Sequence, residues 1–476
     1  MASHKRKLSD TFSDGDWTTY GAGSAAPSDI PPYYAPDSTE HTAKHRRTAS
    51  GSDFSTYDIK HALDMPPMAD TGPPVPPPQP QPLPAVAASQ QEPHPPQEEP
   101  VPTQELSKLL DFSGLGSMKD ITDRFGQLAA ELLHNYDIEI TRGGKTELLE
   151  LLELECYLFK TGSHEDPFTH ASAEQSQSGR WYFHRPPRRS NDPSVAAASP
   201  SGYRGGTRKG LDLTIGKPPP ERTSKFFPQA SGSASSGEAS SPPVLRGGIL
   251  LRSIRRVSDG KVVSGPSLLV DEVLRVSGAS EILELVAVNW DGDIAAFPPT
   301  PVVPASRLST MWLRRRAAAA HPDGSAQRAR ADRPRIFRSP RIGLDISHPS
   351  VAPASAHTHP RVTFVALPYR FFVSPHLLTA NGRGQTFLGV YDALQKAGYC
   401  ESDEELVEEL ARLTGVKGPT AAKYLGALRE GLGAGGSSEG LGEWIGPRGK
   451  AVLSSVTAWL TMMGTLRRLG IAAAPE

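Results

Sequence analysis

The feature that most constrains the fold of this chain is a leucine-rich stretch in which two glutamates alternate with apolar side chains. With the two-residue period of a strand, the apolar side chains share one face: Leu152, Leu154, Cys156 and Leu158. The opposite face carries Glu153, Glu155 and Tyr157. Because carboxylates cost free energy when they are buried without partners, the pattern predicts a half-buried strand. Its polar face meets either water or a functional site.

The residues that follow this strand favour a site. His170 ends a short loop over 166–170, and an aromatic run occupies 181–184. A carboxylate beside aromatic and imidazole rings suits a pocket that grips a flat base and activates water. We therefore expect Glu155 to open into a ring-lined cavity large enough for a purine. A carboxylate turned to bulk solvent, or separated from His170 and Tyr157, would contradict this interpretation.

Proline and glycine limit how much of the chain can fold. The 476 residues include 46 prolines and 44 glycines, a composition that over long segments cannot bury enough surface to offset chain entropy. We predict a disordered Ser/Pro-rich tail over 1–103, a folded domain over 104–377 and a helical region over 378–476. Disordered inserts are predicted near 186–202, 229–243, 315–332 and 347–360.

Charge is nearly balanced overall, with a formal net charge of -1, but it is unevenly distributed. Basic residues outnumber acidic ones from Arg180 to Lys261, and a second basic run extends from Arg307 to Arg341. Such segregation is typical of a face that binds polyanions, although solvated basic loops produce the same pattern.

Cysteine usage and hydropathy set the cellular expectations. The chain has two cysteines, Cys156 and Cys400, far apart in sequence, so we expect neither a disulfide framework nor a metal site. We expect no membrane association, because no apolar run approaches the length of a membrane span. Basic clusters at 4–7 and 44–47 resemble nuclear import signals or nucleic-acid tethers, and we expect a nuclear protein.

Periodicity and capping signals place the secondary structure. Helices are predicted over 118–136, 406–413, 419–431 and 448–469. Strands are predicted over 138–140, 147–157, 179–185, 210–216 and 247–254, with a closing strand over 361–373. Gly265 and Pro266 predict a further helix start, and Ser402 with Glu405 forms a capping box.

Taken in order, these segments resemble the alkyladenine (3-methyladenine, N-methylpurine) DNA glycosylase family. The family's Glu-x-Glu-Ala-Tyr strand and its following Asp-x-x-x-His are matched by ELECY at 153–157 and DPFTH at 166–170. Its Gly-x-Leu-Tyr-Val-Tyr strand is similar to GRWYFH at 179–184, and its Val-Leu-Leu-Arg-Ala strand is similar to ILLRS at 249–253.

Three later segments extend the resemblance. The family's Gly-Pro-x-x-Leu helix start is matched by GPSLL at 265–269. Its late Arg-Ile-Gly and Pro-(Leu)-Arg-Phe-x-Val segments are similar to RIG at 341–343 and PYRFFV at 368–373. The resemblance covers roughly residues 120–377, so the helical region beyond lies outside it.

The resemblance implies an α+β fold around a curved, mostly antiparallel sheet with flanking helices. It also implies a monofunctional glycosylase that flips an alkylated purine out of DNA and hydrolyses its N-glycosidic bond without a metal or other cofactor. In this scheme Glu155 activates water against the anomeric carbon, and Arg252 lies beside that water. The implied base-binding residues are Tyr157, His170, Tyr182 and His184.

The chain also departs from the family. Where the family has a tight hairpin with a Tyr wedge and a following Asn, this chain has a long Arg-rich insertion. Candidate DNA-binding residues there are Tyr203, Arg204, Arg208 and Lys209, of which either of the first two could fill the gap in the duplex. The Asn position falls near Gly216, so discrimination against the amino group of guanine is not implied. His184 replaces a phenol, which changes the expected pH dependence of the pocket. Asp212 has no family role, and we interpret it as surface or strand-end polarity.

Alkylated purines carry positive charge, so electron-rich rings attract them by about 0.5–2 kcal/mol per contact. A neutral base such as hypoxanthine would additionally require a proton donor.

We expect a monomer whose partner is double-stranded DNA with damaged purines. The alternatives are a catalytically inactive nuclear nucleic-acid-binding protein and an interaction scaffold on the same fold. A Gly-rich loop over 413–421 resembles a helix-hairpin-helix phosphate-binding loop, or is an ordinary capped helix pair.

Overall fold

The computed structural model describes ten segments of the chain: 102–186, 202–218, 244–299, 307–316, 333–378, 381–399, 402–433, 441–447, 449–450 and 452–471. These residues all belong to one compact unit. The predicted tail up to residue 101, the insert over 229–243 and most of the inserts near 186–202 and 315–332 lie outside the described residues.

The described residues have the predicted α+β fold, in which one antiparallel sheet curls into a half-barrel. Its strands are β1 Tyr136–Arg142, β2 Lys145–Lys160, β3 His164–Glu165, β4 Trp181–Phe183, β5 Leu211–Ile215, β6 Leu245–Arg256, β7 Val262–Ser264, β8 Ser309–Arg315, β9 Phe337–Ser339 and β10 Arg370–Phe372. The main order is β4-β5-β6-β2-β1-β8, and β10 pairs with both β2 and β9. The sheet is built around β2, which pairs with four neighbours.

Helices flank this sheet. They are α1 Pro102–Leu109, α2 Met118–Asn135, α3 Pro266–Ser277, α4 Pro360–Ala366, α5 Arg383–Lys396, α6 Asp403–Thr414, α7 Gly418–Gly433 and α8 Val456–Arg468. The predicted caps are present, since the Ser402 side chain accepts a hydrogen bond from the Glu405 backbone N–H. Helix α6 ends at Gly415, whose φ of 70° is a conformation that glycine adopts without steric cost.

The predicted closing strand over 361–373 is wrong in its first half. Helix α4 occupies 360–366, and only Arg370–Phe372 forms a strand. Pro360 takes a first-turn position, where its fixed φ suits a helix. Leu367 precedes Pro368 and is extended, as a residue before proline prefers. A short apolar run does not distinguish a strand from a buried helix.

The segment predicted as a disordered insert near 347–360 also differs from expectation. It contains a 3-10 helix, Pro353–Thr358. Val351 and Ala356 are buried in the hydrophobic core, which supplies the contacts that hold this proline- and alanine-rich segment.

The C-terminal helices pack against the sheet. Helix α5 approaches β9 so closely that a Cβ on Gly389 would lie 2.6 Å from the Arg338 carbonyl oxygen. Phe387 of α5, Leu425 of α7 and Trp459 of α8 belong to the same core cluster as the strand residues. Among the described residues, no helix has the length and apolar character needed to cross a membrane.

Candidate active site

Strand register brings the candidate residues together on one face of the sheet. Tyr182 of β4 pairs with Asp212 of β5, and Asp212 pairs with Leu250 of β6. Leu250 pairs with Glu155 of β2, which pairs with Arg370 of β10. Because directly opposed residues on neighbouring strands point to the same face, this row runs unbroken from the aromatic run to the carboxylate.

Glu155 lies at the centre of a buried polar cluster. Its Oε2 accepts hydrogen bonds from the Tyr157 hydroxyl at 2.8 Å and from Arg252 Nη1 at 3.3 Å. Its Oε1 accepts one from the Ile342 backbone N–H at 2.7 Å. A carboxylate offers about four acceptor positions, so these three contacts leave one, on Oε1.

The expectation that Glu155 opens into a cavity is wrong for this structure, because the side chain has 0% of its surface exposed. The carboxylate is nevertheless not separated from Tyr157, whose hydroxyl contacts it directly. Tyr157 itself is partly exposed, so it connects the buried carboxylate to the protein surface. Burial and the Glu155 carboxylate raise the pKa of Tyr157 well above its usual value, which keeps the phenol protonated as a donor.

The neighbouring carboxylate, Glu153, is also buried rather than half-exposed as predicted. It accepts hydrogen bonds from Arg370 Nε at 2.6 Å, Arg252 Nε at 3.1 Å and Ser253 Oγ at 2.5 Å. Burial acts to raise the pKa of Glu153, but Arg370 and Arg252 lower it overall, so the group stays ionised. Arg252 therefore bridges the two glutamates of β2.

Arg341 and Asp166 form a further ion pair in the buried polar cluster around Glu155. Arg341 donates to Asp166 through Nη1 at 2.5 Å and through Nη2 at 3.2 Å. Its guanidinium carbon lies 4.3 Å from the centre of the Tyr157 ring. The cluster matches three carboxylates with three guanidinium groups: Glu153, Glu155 and Asp166 with Arg252, Arg341 and Arg370. This balance explains how so many charges are buried together, since an unpaired buried charge is strongly destabilising.

Three rings gather at the other end of the row. The ring centres of His170 and His184 lie 4.3 Å apart, and that of Tyr182 lies 6.0 Å from His170 and 6.1 Å from His184. We call these residues the ring cluster. Burial, followed by the charges of His184 and Arg204, lowers the pKa of His170 well below its usual value, so its imidazole is neutral at pH 7. Burial raises the pKa of Tyr182 to about 12.

Asp212 lies next to the ring cluster, where it contacts His184. Its interpretation as surface polarity is wrong. The side chain is 2% exposed. Its Oδ1 accepts from His184 Nε2 at 2.8 Å, and its Oδ2 accepts from Gln175 Nε2 at 2.9 Å. A Cβ on Gly248 would lie 2.8 Å from Asp212 Oδ2. A glycine pair inside a strand signals such close approach, and Gly247-Gly248 is the sequence signal that could have revealed this contact.

The candidate DNA-binding residues lie beside the ring cluster with different degrees of exposure. Arg204 is partly buried and donates through Nε to the Arg185 carbonyl at 3.0 Å. Tyr203 packs under the Arg185 guanidinium, 4.3 Å from its ring centre, and is partly buried. Arg208 is exposed, whereas Lys209 forms an ion pair with Asp271.

A cavity of about 360 Å³ lies at the loop between α6 and α7. Thr414, Gly415 and Lys417 line it together with Arg383 and Thr386 of α5. Within the described segments, no group of three or more His, Cys, Asp or Glu side chains is arranged to hold a metal ion.

Comparison with known proteins identifies a similar protein but no family. No family model matches the chain. An uncharacterized protein, L759, from Acanthamoeba polyphaga mimivirus is 30% identical over 175 residues. The match covers 37% of this chain and 65% of the relative. The chain therefore spans less than two thirds of the relative's length, and this likeness assigns no activity.

Proposed function

We propose that this protein is a monofunctional base-excision DNA glycosylase that hydrolyses the N-glycosidic bond of alkylated purines, with Glu155 as the general base. The observation that carries the proposal is the register of three neighbouring strand pairs, which puts Glu155 and Tyr182 of the ring cluster on one face. A base-excising enzyme needs such a combination, because it must hold a flipped base while a base-activated water attacks the sugar.

The ring cluster supports recognition of a cationic base. His170 is neutral at pH 7 because its pKa is lowered by burial, and Tyr182 stays protonated because its pKa is raised to about 12. Neutral rings present electron-rich faces, which attract an alkylated purine by about 0.5–2 kcal/mol per contact. A normal, uncharged purine gains no such attraction, so the ring cluster favours damaged bases that carry a positive charge.

The contacts of Glu155 support activation of water. The acceptor position left on Oε1 can take a proton from water, while Arg252 holds the carboxylate in position. The hydroxide adds to the anomeric carbon, and the bond to the purine breaks. The leaving base takes the bonding electrons, which neutralise its positive charge. Since Glu155 has no exposed surface, water reaches it only when the side chains above it move.

The surroundings support binding to DNA. Arg204, Arg208 and Lys209 come from one segment beside the ring cluster, and Arg208 is exposed. Basic side chains at the edge of a base pocket can neutralise backbone phosphates. We accordingly propose double-stranded DNA as the partner, a monomer as the active form and the nucleus as the compartment.

A second candidate function is a non-catalytic nucleic-acid-binding protein on the same fold. The complete enclosure of Glu155 by three donors favours this alternative, because a purely structural carboxylate needs no access to water. The two functions differ in one measurable step, the release of a free base.

The deciding experiment incubates the full chain with alkylated duplex DNA and measures free 3-methyladenine and 7-methylguanine. For Glu155→Gln we expect loss of release by about 100- to 10,000-fold, the usual contribution of a general base, with DNA affinity retained. Glu153→Gln is the matched control, because it removes a carboxylate from the same buried cluster. Thermal melts show whether both variants fold.

If the wild-type chain binds duplex DNA with strong salt dependence but releases no base, the non-catalytic alternative holds. Equal loss of release in both variants, with equal loss of thermal stability, would assign Glu155 a structural role only.

A further inference from the structure

The cavity at the loop between α6 and α7 has a positively charged wall. Its volume is about 360 Å³, within the range of about 300–1,000 Å³ that is usual for ligand sites. Arg383 of α5 and Lys417 line it, and its described wall contains no carboxylate. Because these two cations meet no opposite charge in that wall, the cavity attracts an anion.

Thr386 brings a buried hydrogen-bond donor to this cavity. The residue is 3% exposed, and its Oγ1 accepts a hydrogen bond from Arg370 Nη2 at 3.0 Å. A hydroxyl can donate one hydrogen bond in addition to those that it accepts, and within the described part of the chain this proton has no acceptor. Since a buried donor without an acceptor is unfavourable, a ligand oxygen beside Thr386 would be stabilised.

Lys417 and Thr420 add two further donors at the start of α7, in the Gly-rich loop over 413–421. Among the described residues, neither side chain has a hydrogen-bond or ion-pair partner. The backbone N–H groups of Thr420 and Ala421 already donate to the Lys417 carbonyl, at 2.9 and 3.0 Å. Side chains, rather than the end of the helix, therefore supply the donors for a ligand.

The wall of the cavity is also in contact with the buried polar cluster. Arg370, which donates to Thr386, donates through Nε to Glu153 at 2.6 Å. Just before α5, a Cβ on Gly382 would lie 2.0 Å from Ile342 Cδ1. The backbone N–H of Ile342 in turn contacts the candidate general base. These contacts put the cavity next to the site that the proposed function assigns to DNA.

We propose that this cavity binds a single phosphate group through Arg383, Lys417 and Thr386. The guanidinium group can donate two parallel hydrogen bonds to phosphate oxygens, and the ammonium group adds a compact positive charge. The Thr386 hydroxyl supplies a directed hydrogen bond from the buried side. A phosphate of the DNA backbone and free inorganic phosphate present the same oxygen atoms to these donors. The DNA source rests on the proposed function, whereas the free-phosphate source does not.

The test uses the full chain and the double variant Arg383→Gln with Lys417→Gln. Both side chains are exposed, so loss of their charge should not prevent folding. Lys423→Gln is the matched control, because Lys423 is an exposed lysine of α7 that does not line the cavity. Circular dichroism checks that all three proteins have the same fold.

The first arm titrates inorganic phosphate at constant ionic strength and follows the melting temperature. Phosphate should raise the melting temperature of the wild type and of Lys423→Gln, because a ligand that binds only the folded protein stabilises it. It should leave that of the double variant unchanged.

The second arm measures binding to duplex DNA at several salt concentrations. The double variant should bind about 10-fold less tightly, as expected when hydrogen bonds to a charged group are lost. Its plot of log affinity against log salt should be shallower by about one unit, the contribution of one phosphate contact. Lys423→Gln should keep the wild-type slope.

The outcomes identify the source of the phosphate or overturn the inference. A change in the DNA arm, with or without one in the phosphate arm, assigns the cavity to the DNA backbone. A change in the phosphate arm alone assigns it to free phosphate. If the double variant matches Lys423→Gln in both arms, the cavity is not a phosphate site. If the wild type binds DNA but releases no base, the glycosylase function fails, while both arms still decide on the cavity.

Discussion

Replacing Arg341 by methionine should lower the free energy of unfolding by about 3–5 kcal/mol, the usual cost of removing one partner of a buried ion pair. Arg341 and Asp166 have fully buried side chains, 0% exposed, and meet at 2.5 Å. Without Arg341, Asp166 keeps the backbone N–H of Phe168 as a donor at 3.0 Å but loses its counter-charge. The carbonyl of Cys156, which Arg341 also contacts, loses a hydrogen bond.

A double-mutant cycle measures how much of this cost comes from the orphaned carboxylate. Asp166→Asn keeps the shape of the side chain and removes its charge. We expect the variant with both substitutions to be less destabilised than the sum of the single variants, by about 1–3 kcal/mol. Urea denaturation followed by the fluorescence of the buried Trp181 and Trp290 provides the free energies.

An exposed ion pair of nearly the same length is the matched control. Arg412 and Glu409 of α6 meet at 2.6 Å, but their side chains are 66% and 21% exposed. Arg412→Met should cost only about 0–1 kcal/mol. The reasoning is refuted if Arg341→Met costs as little as Arg412→Met, or if the Arg341 and Asp166 substitutions add within about 0.5 kcal/mol.

Two further predictions concern stability. Lowering the pH from 7 to 5 should reduce the free energy of unfolding, because burial lowers the folded-state pKa of His164 beneath its unfolded value of about 6.5. This contribution to stability is fully present above the unfolded-state pKa and is lost as the pH falls toward the folded-state pKa. Urea denaturation should therefore show that the free energy of unfolding of His164→Gln depends less on pH than that of the wild type. An unchanged pH dependence would contradict the assignment to His164. Gly415→Ala should destabilise by about 1 kcal/mol because its φ of +70° strains a side chain, whereas Gly426→Ala, inside α7 with open space around it, should stabilise by a similar amount. The prediction would be refuted if thermal melts showed that both substitutions raise, or both lower, the melting temperature.

The parts of the fold that the sequence predicted are those determined by local pattern. Helix α2 follows from apolar residues at helical spacing after a serine cap, and it extends over 118–135, close to the predicted range. Strand β6 likewise follows from a run of apolar residues, although it extends from 245 to 256. The 361–373 segment was mispredicted because a short apolar run is compatible with both a helix and a strand.

The burial of the glutamates could not be predicted, because their partners are distant in sequence. Glu153 is neutralised by Arg370, 217 residues away, and Glu155 is held by Arg252, 97 residues away. Similarly, the contact of Asp212 could not be predicted because its partner His184 directly follows another strand, β4. A two-residue period identifies which side chains share a face, but it does not reveal what covers that face.

The alternating pattern alone predicts the same surroundings for Glu153 and Glu155, but the structure shows that their surroundings differ. Glu153 is held by two guanidinium groups and a serine hydroxyl, so each of its charged neighbours opposes the uptake of a proton. Glu155 has one guanidinium neighbour at hydrogen-bond distance, and its other donors are a backbone N–H and the hydroxyl of the partly exposed Tyr157. Of the two carboxylates, Glu155 therefore has fewer guanidinium groups at hydrogen-bond distance and a contact that leads toward the surface. Both properties suit a general base, and this is why Glu155→Gln and Glu153→Gln should differ in base release even though each removes one charge from the same cluster.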